Sequence, residues 1–175
     1  MTSMRLTVRH AFALRSGMRC LALLALTGFA SVLHAAEITW TGTATVAARN
    51  AGWGRLAQLP DGRWLAVTTR FNEGQPTTLQ LSISSDRARS WAPWSDVAEP
   101  GRMIDNGELL VLPEGRVLLA MRSLVEGVSY RLHLYASDDL GAHWTFLSTL
   151  AGNEAPNGRK DRGVWEPVLT RLDDG

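Results

Sequence analysis

The sequence is poor in residues that several common kinds of chemistry require. Its 175 residues include a single cysteine, Cys20. Cys20 lies in an amino-terminal segment expected to be removed, so the exported part has neither an internal disulfide nor a thiol nucleophile. Charge of one sign is also lacking, and a formal net charge of +1 provides no field for steering nucleic acid. The slight basic lean is local, because Arg5, Arg9, His10, Arg15 and Arg19 crowd the amino terminus, and without them the chain is mildly acidic. No apolar run reaches the ~20 residues of a membrane helix, and no amphipathic helix is visible after residue 36. Beyond that point only His133 and His143 remain, which leaves a catalytic Ser-His-Asp triad short of a partner. No stretch carries the alternating carboxylates and closing glutamate of a calcium loop, so neither a metal nor a cofactor is expected.

What is present begins with the basic stretch running into CLALLALTGFASVL, Cys20 to Leu33, which has the length of a signal-peptide core. Small residues at Ala35 and Ala36 offer a cleavage site, so residues 1–36 are expected to be a signal peptide and 37–175 an exported part. The product would be secreted or periplasmic, with no membrane contact after cleavage. An uncleaved anchor is the alternative. A 45% apolar and 20% charged composition is that of one ordinary globular domain.

The dominant feature is a repeat. GRLAQLPDGRWLAVTTR, Gly54 to Arg70, matches GELLVLPEGRVLLAMR, Gly107 to Arg122, with Gly62 and Gly115 separated by 53 residues. SSDRARSW, Ser84 to Trp91, pairs with SDDLGAHW, Ser137 to Trp144, at the same spacing. Two landmarks at one offset define repeats at about 53–106 and 106–160, and a third copy starts at 163 with Gly175 in the place of the hairpin glycine. Short apolar runs bounded by Pro-Asp-Gly or Pro-Glu-Gly read as strands joined by hairpins, and LQLSIS and RLHLYAS alternate with period two. Four strands in roughly 40–50 residues is the size of a propeller blade. VLLAM, Val117 to Met121, is apolar on both faces, as a strand between two neighbouring blades would be.

Turn chemistry accounts for the Ser-Asp-Gly-Trp cluster. Asp139 can accept hydrogen bonds from its own turn, Gly141 can take a positive φ, and Trp144 can cover the turn against the core. Ser84-x-Asp86-x-Ala88-x-Ser90-Trp91 and Ser137-x-Asp139-x-Gly141-x-His143-Trp144 resemble the Asp-box, the bacterial neuraminidase repeat of the sialidase superfamily. The second copy departs from Ser-x-Asp-x-Gly-x-Thr-Trp at His143, and the first departs at Ala88. From Met103 to Gly175, IDNGELLVLPEGRVLLAMR, YASDDLGAHWTFLS and GVWEP are similar to the exo-arabinanase-type branch of these six-bladed propellers. The resemblance implies an all-β β-propeller, of which about two and a half blades are present, acting as an exo-acting glycoside hydrolase on an oligosaccharide or polysaccharide and monomeric when complete. A non-catalytic carbohydrate-binding or assembly scaffold is the alternative implied by the same boxes, and an inactive truncated fragment is a third. Open blade edges lead us to expect that this piece alone is unstable or inactive.

Repeat alignment places chemistry at the opposite face from the boxes. Nine residues before the three hairpin glycines stand Trp53, Asn106 and Glu166, expected at one height around the mouth of the central channel. Trp165 beside Glu166 would shield the carboxylate from water, which favours the protonated acid that glycoside cleavage needs; an exposed rim glutamate or salt bridge is the plain alternative. The resemblance makes a glutamate in this Trp-Glu-Pro setting a catalytic carboxylate, so Glu166 is expected as acid/base, or as nucleophile or stabiliser. Asp105 is the second carboxylate candidate, although IDNG also reads as an Asx turn. Arg70 and Arg122 end their second strands, where guanidinium forks suit sugar hydroxyls or a sugar carboxylate, or plain ion pairs. Their offset of 52 places one of them facing away unless a bulge intervenes. Asn106 can hydrogen-bond a sugar, and Trp53 and Trp165 can stack on one or sit in the core.

Overall fold

Eight strands separated by short turns run through residues 51–154, and no helix forms among the described residues, which in the computed structural model are 47–154 and 163–172. The segment read as a signal peptide, with Ala35 and Ala36, lies outside them. The first sheet is β1 (Ala51–Gln58), β2 (Trp64–Arg70), β3 (Thr78–Ser84) and β4 (Ala92–Val97), antiparallel and in chain order. The second repeats it with β5 (Met103–Val111), β6 (Val117–Val125), β7 (Ser129–Ser137) and β8 (Thr145–Glu154). Each is the four-stranded meander of a β-propeller blade. The period of the sequence is also the period of the register: Gly52 pairs Thr69 where Asp105 pairs Arg122, and Gln58 pairs Trp64 where Val111 pairs Val117. Residues 163–172, where the third copy begins, form no strand.

The inner hairpins close as their sequence requires. The Leu59 N–H donates to the Arg63 carbonyl (2.8 Å) and the Gly62 N–H to Leu59 (2.9 Å), and Leu112, Arg116 and Gly115 repeat both bonds. Gly62 and Gly115 take φ of 85° and 92°, which a side chain would resist. Between the sheets, Leu65, Val67, Leu79 and Leu81 meet Ile104, Leu109, Leu119 and Met121 in one buried cluster. Val117, Leu119, Ala120 and Met121 are fully buried, and Val117, Leu119 and Met121 belong to the cluster shared with the first sheet. At Gly107 a Cβ would lie 2.8 Å from Val67 Cγ2 and 3.0 Å from Leu79 Cδ1, so the glycine lets β5 approach the first blade.

The two Ser-x-Asp turns share one bonding scheme. Ser84 Oγ donates to Asp86 Oδ1 (2.8 Å) and accepts from the Ala88 N–H (2.9 Å), while Asp86 accepts from the N–H groups of Arg89 and Ser90. Ser137 Oγ donates to Asp139 (2.7 Å) and accepts from the Gly141 N–H (2.8 Å), and Asp139 accepts from the His143 N–H (2.9 Å). The second turn also binds the first blade: Trp94 Nε1 donates to the Leu140 carbonyl (3.1 Å), Ser95 Oγ to Gly141 (2.6 Å), and Trp144 Nε1 to Ser95 Oγ (3.2 Å). Trp144 packs on the core, whereas Trp91 is partly buried at its own turn. Asp86 and Asp139 are therefore bonded within their own turns.

Candidate active site

At the other end of the inner strands the pairing is interrupted twice at equivalent places, between Gly52 and Arg55 in β1 and between Asp105 and Glu108 in β5. Trp53 and Asn106 occupy these bulges with φ of 50° and 51°, a left-handed conformation that costs side-chain-bearing residues energy. Their equivalence agrees with counting back from the hairpin glycines. Their environments differ. Trp53 is 49% exposed and meets Phe71 edge-on, with ring centres 5.4 Å apart. Asn106 is buried; its N–H donates to Thr69 Oγ1 (3.2 Å), and its Oδ1 has no partner.

Two residues further along each inner strand stand Arg55 and Glu108, which the sequence reading missed. Arg55 Nε lies 3.3 Å from Glu108 Oε2, and its Nη2 lies 3.7 Å from Glu166 Oε2. One guanidinium thus lies between two carboxylates, from the second and third repeats. The 53-residue spacing of Arg55 and Glu108 is the signal in the sequence that links them. The glutamate side chains are 20% and 55% exposed, respectively. Glu166 is therefore not shielded as expected: Trp165 stands beside it in sequence, yet its ring is 57% exposed and turned to another partner.

That partner is Arg122, whose guanidinium carbon is 4.7 Å from the Trp165 ring centre. Arg122 is held by Asp105 in a fork, Nε to Oδ1 at 2.7 Å and Nη2 to Oδ2 at 2.6 Å, with side chains only 11% and 5% exposed. The hydrogen bonds that Arg122 donates to Asp105 push its pKa up, against the burial that pulls it down. Both carboxylate oxygens of Asp105 are thus engaged by the Arg122 fork rather than left open for a sugar. Arg70 and Arg122 do not converge either. Thr69, not Arg70, is the register equivalent of Arg122, since β2 has no bulge to absorb the odd residue. Arg70 instead pairs with Asp96 (3.1 Å) and lines a shallow depression of about 480 Å³ with Arg49, Phe71 and Gln80.

A second polar cluster occupies the seam between the sheets. Glu99, on the link between β4 and β5, accepts from Tyr135 (2.8 Å) and Ser123, and shares a hydrogen bond with His133 Nδ1 (2.7 Å). Arg102 donates to Ser123 Oγ (2.6 Å) and Ser129 Oγ (3.0 Å). Burial acts to raise the Glu99 pKa, but the bonds from His133, Ser123 and Tyr135 outweigh it and hold the carboxyl below its usual range. Tyr135 is pushed up by burial and by Glu99.

Two meander sheets sharing a core and presenting their bulged inner strands together are blades of a β-propeller, and solved structures with this fold include sugar-cleaving enzymes. The chain is similar to the α-L-arabinanase of Penicillium chrysogenum solved with arabinobiose, with a TM-score of 0.60 and 28% identity, covering 71% of this chain and 39% of that one. It is similar also to the α-L-arabinofuranosidase of Fusarium graminearum, solved as a mutant with an iminosugar inhibitor (TM-score 0.53, 22% identity, 60% of this chain and 33% of that one). A Dyadobacter fermentans protein of unknown function matches with a TM-score of 0.52 and 20% identity, covering 68% of this chain and 30% of that one. The chain thus spans well under half the length of each. No family model and no curated protein sequence matches it.

Proposed function

We propose that the protein containing this chain is an exported exo-acting glycoside hydrolase of the sialidase superfamily, cleaving arabinan-type chains at the propeller mouth. The observation that carries the reading is Arg55 lying between Glu108 and Glu166 where residues of three repeats meet. Glycoside hydrolysis needs one carboxyl that gives a proton to the leaving oxygen and a second that stabilises or attacks the sugar cation. Glu166 takes the first role, and Glu108 replaces Asp105 as the candidate for the second within these residues. Arg55 holds both until substrate enters, and a sugar ring over the mouth supplies the shielding that Glu166 lacks when exposed. Trp53 offers an exposed ring for that sugar, whereas the unpartnered Oδ1 of Asn106 is buried. The arabinan assignment is supported by the arabinanase at 28% identity, and the superfamily by the two Asp-box-like turns.

A non-catalytic scaffold is the second reading, favoured by the binding of the Asp139 turn to the neighbouring blade and by the exposure of Glu166. The two are separated by incubating the full gene product with linear arabinan, arabino-oligosaccharides and a sialoside and following released sugars by chromatography. Stepwise release of short arabinosides supports the hydrolase. Binding of arabinan without turnover supports the scaffold, and sialoside cleavage alone moves the substrate to a sugar acid.

A further inference from the structure

Residues 163–172 have no strand partner, yet the second sheet holds them at two points. The ring of Tyr130 lies where a Cβ on Gly163 would come within 2.8 Å, and the Arg122 guanidinium lies over the Trp165 ring. We propose that Asp105, Arg122 and Trp165 form a positioning device for Glu166, in which Asp105 fixes Arg122, Arg122 fixes the Trp165 ring, and the ring fixes the backbone of the next residue. The inference rests on Glu166 being the acid/base, and it replaces both the catalytic expectation for Asp105 and the substrate-binding expectation for Arg122.

Three observations support it. The fork between Arg122 and Asp105 is buried and uses both carboxylate oxygens, so the guanidinium keeps one posture and presents its face to the tryptophan. Trp165, whose ring lies 4.7 Å from the Arg122 guanidinium carbon, is directly joined to Glu166 along the chain. Finally, the first blade repeats the arrangement in different chemistry. Thr69, the register equivalent of Arg122, accepts a hydrogen bond from the N–H of Asn106, the repeat equivalent of Glu166. In each blade, this position of the second strand contacts the repeat that follows, at the mouth residue in the first and at the residue beside it in the second.

The test compares kcat and KM on an arabino-oligosaccharide, and arabinobiose affinity by calorimetry, in the full gene product. Trp165→Leu is the main variant, because an exposed side chain can be removed without unfolding the protein. Misplacing a catalytic group by about 1 Å costs on the order of 100-fold. We expect kcat to fall by about that factor with KM and arabinobiose affinity within about threefold, and Trp165→Phe, which keeps a ring under the guanidinium, to recover most of the loss. Arg122→Ala should show the same split. A raised KM and weakened arabinobiose binding with kcat intact would overturn the proposal and return both residues to substrate binding, leaving the hydrolase reading in place; unchanged kinetics would also overturn it. If the unaltered protein turns over no substrate, the hydrolase reading fails by itself. The device is then judged by acrylamide quenching of Trp165, isolated by subtracting the Trp165→Phe signal. At least twofold stronger quenching in Arg122→Ala supports it, and unchanged quenching overturns it.

Discussion

Ala88 holds a conformation that its counterpart Gly141 adopts at little cost. Its φ is 61°, in the left-handed region, and that of Gly141 is 86°. Ala88→Gly should therefore stabilise the protein by about 1 kcal/mol, read as a higher urea midpoint at unchanged slope. Gly141→Ala should destabilise it by more than that, because its Cβ would lie 2.9 Å from Leu65 Cδ2 in addition to the strain. The sequence made this pair legible, since the turn chemistry of Ser, Asp and Gly is local. It did not make Asp105 legible: a carboxylate in IDNG reads as reactive or as a turn residue, and only the register across β5 and β6 reveals the arginine opposite. The one-residue difference between Arg70 and Arg122 was visible, but deciding which of them faced the mouth required knowing that β2 carries no bulge.

At the scale of the element, the Ser-x-Asp turn depends on ionised aspartate. Asp86 is held down to about 2 by the hydroxyl and N–H of Ser90 and by Ser84, and Asp139 is held further below the usual range by the N–H and ring of His143. A depressed carboxyl contributes stability above its unfolded value, about 3.9, and loses it as pH falls toward the folded value. We expect the urea midpoint to decline between about pH 4 and pH 2, and Asp86→Asn to flatten part of that slope; a slope unaltered by the substitution would exclude the turn as its source. Strand elements were readable because the hairpin glycines and period-two alternation are short-range signals. The bulges at Trp53 and Asn106 were not, because a bulge breaks the alternation by which a strand is followed, and Arg55 and Glu108 were lost with it.

For the whole molecule, the two blades are joined by apolar packing, by the Asp139 turn and by Glu99 buried in the seam. Removing Glu99 leaves His133, Tyr135 and Ser123 without their acceptor, so Glu99→Ala should cost roughly 3 kcal/mol of unfolding free energy in a denaturant titration. The blade repeat was evident from sequence, yet this seam was not, since Glu99 and its donors come from three separate segments. The mouth has the same origin: Arg55, Glu108 and Glu166 belong to three repeats and meet only when the blades stack. Glu166→Gln in the full gene product is the most direct test of the account. Arabino-oligosaccharide hydrolysis should fall by about three orders of magnitude, the middle of the range for a general acid, with circular dichroism and urea midpoint unchanged. Hydrolysis at the unaltered rate in a folded Glu166→Gln protein would contradict it.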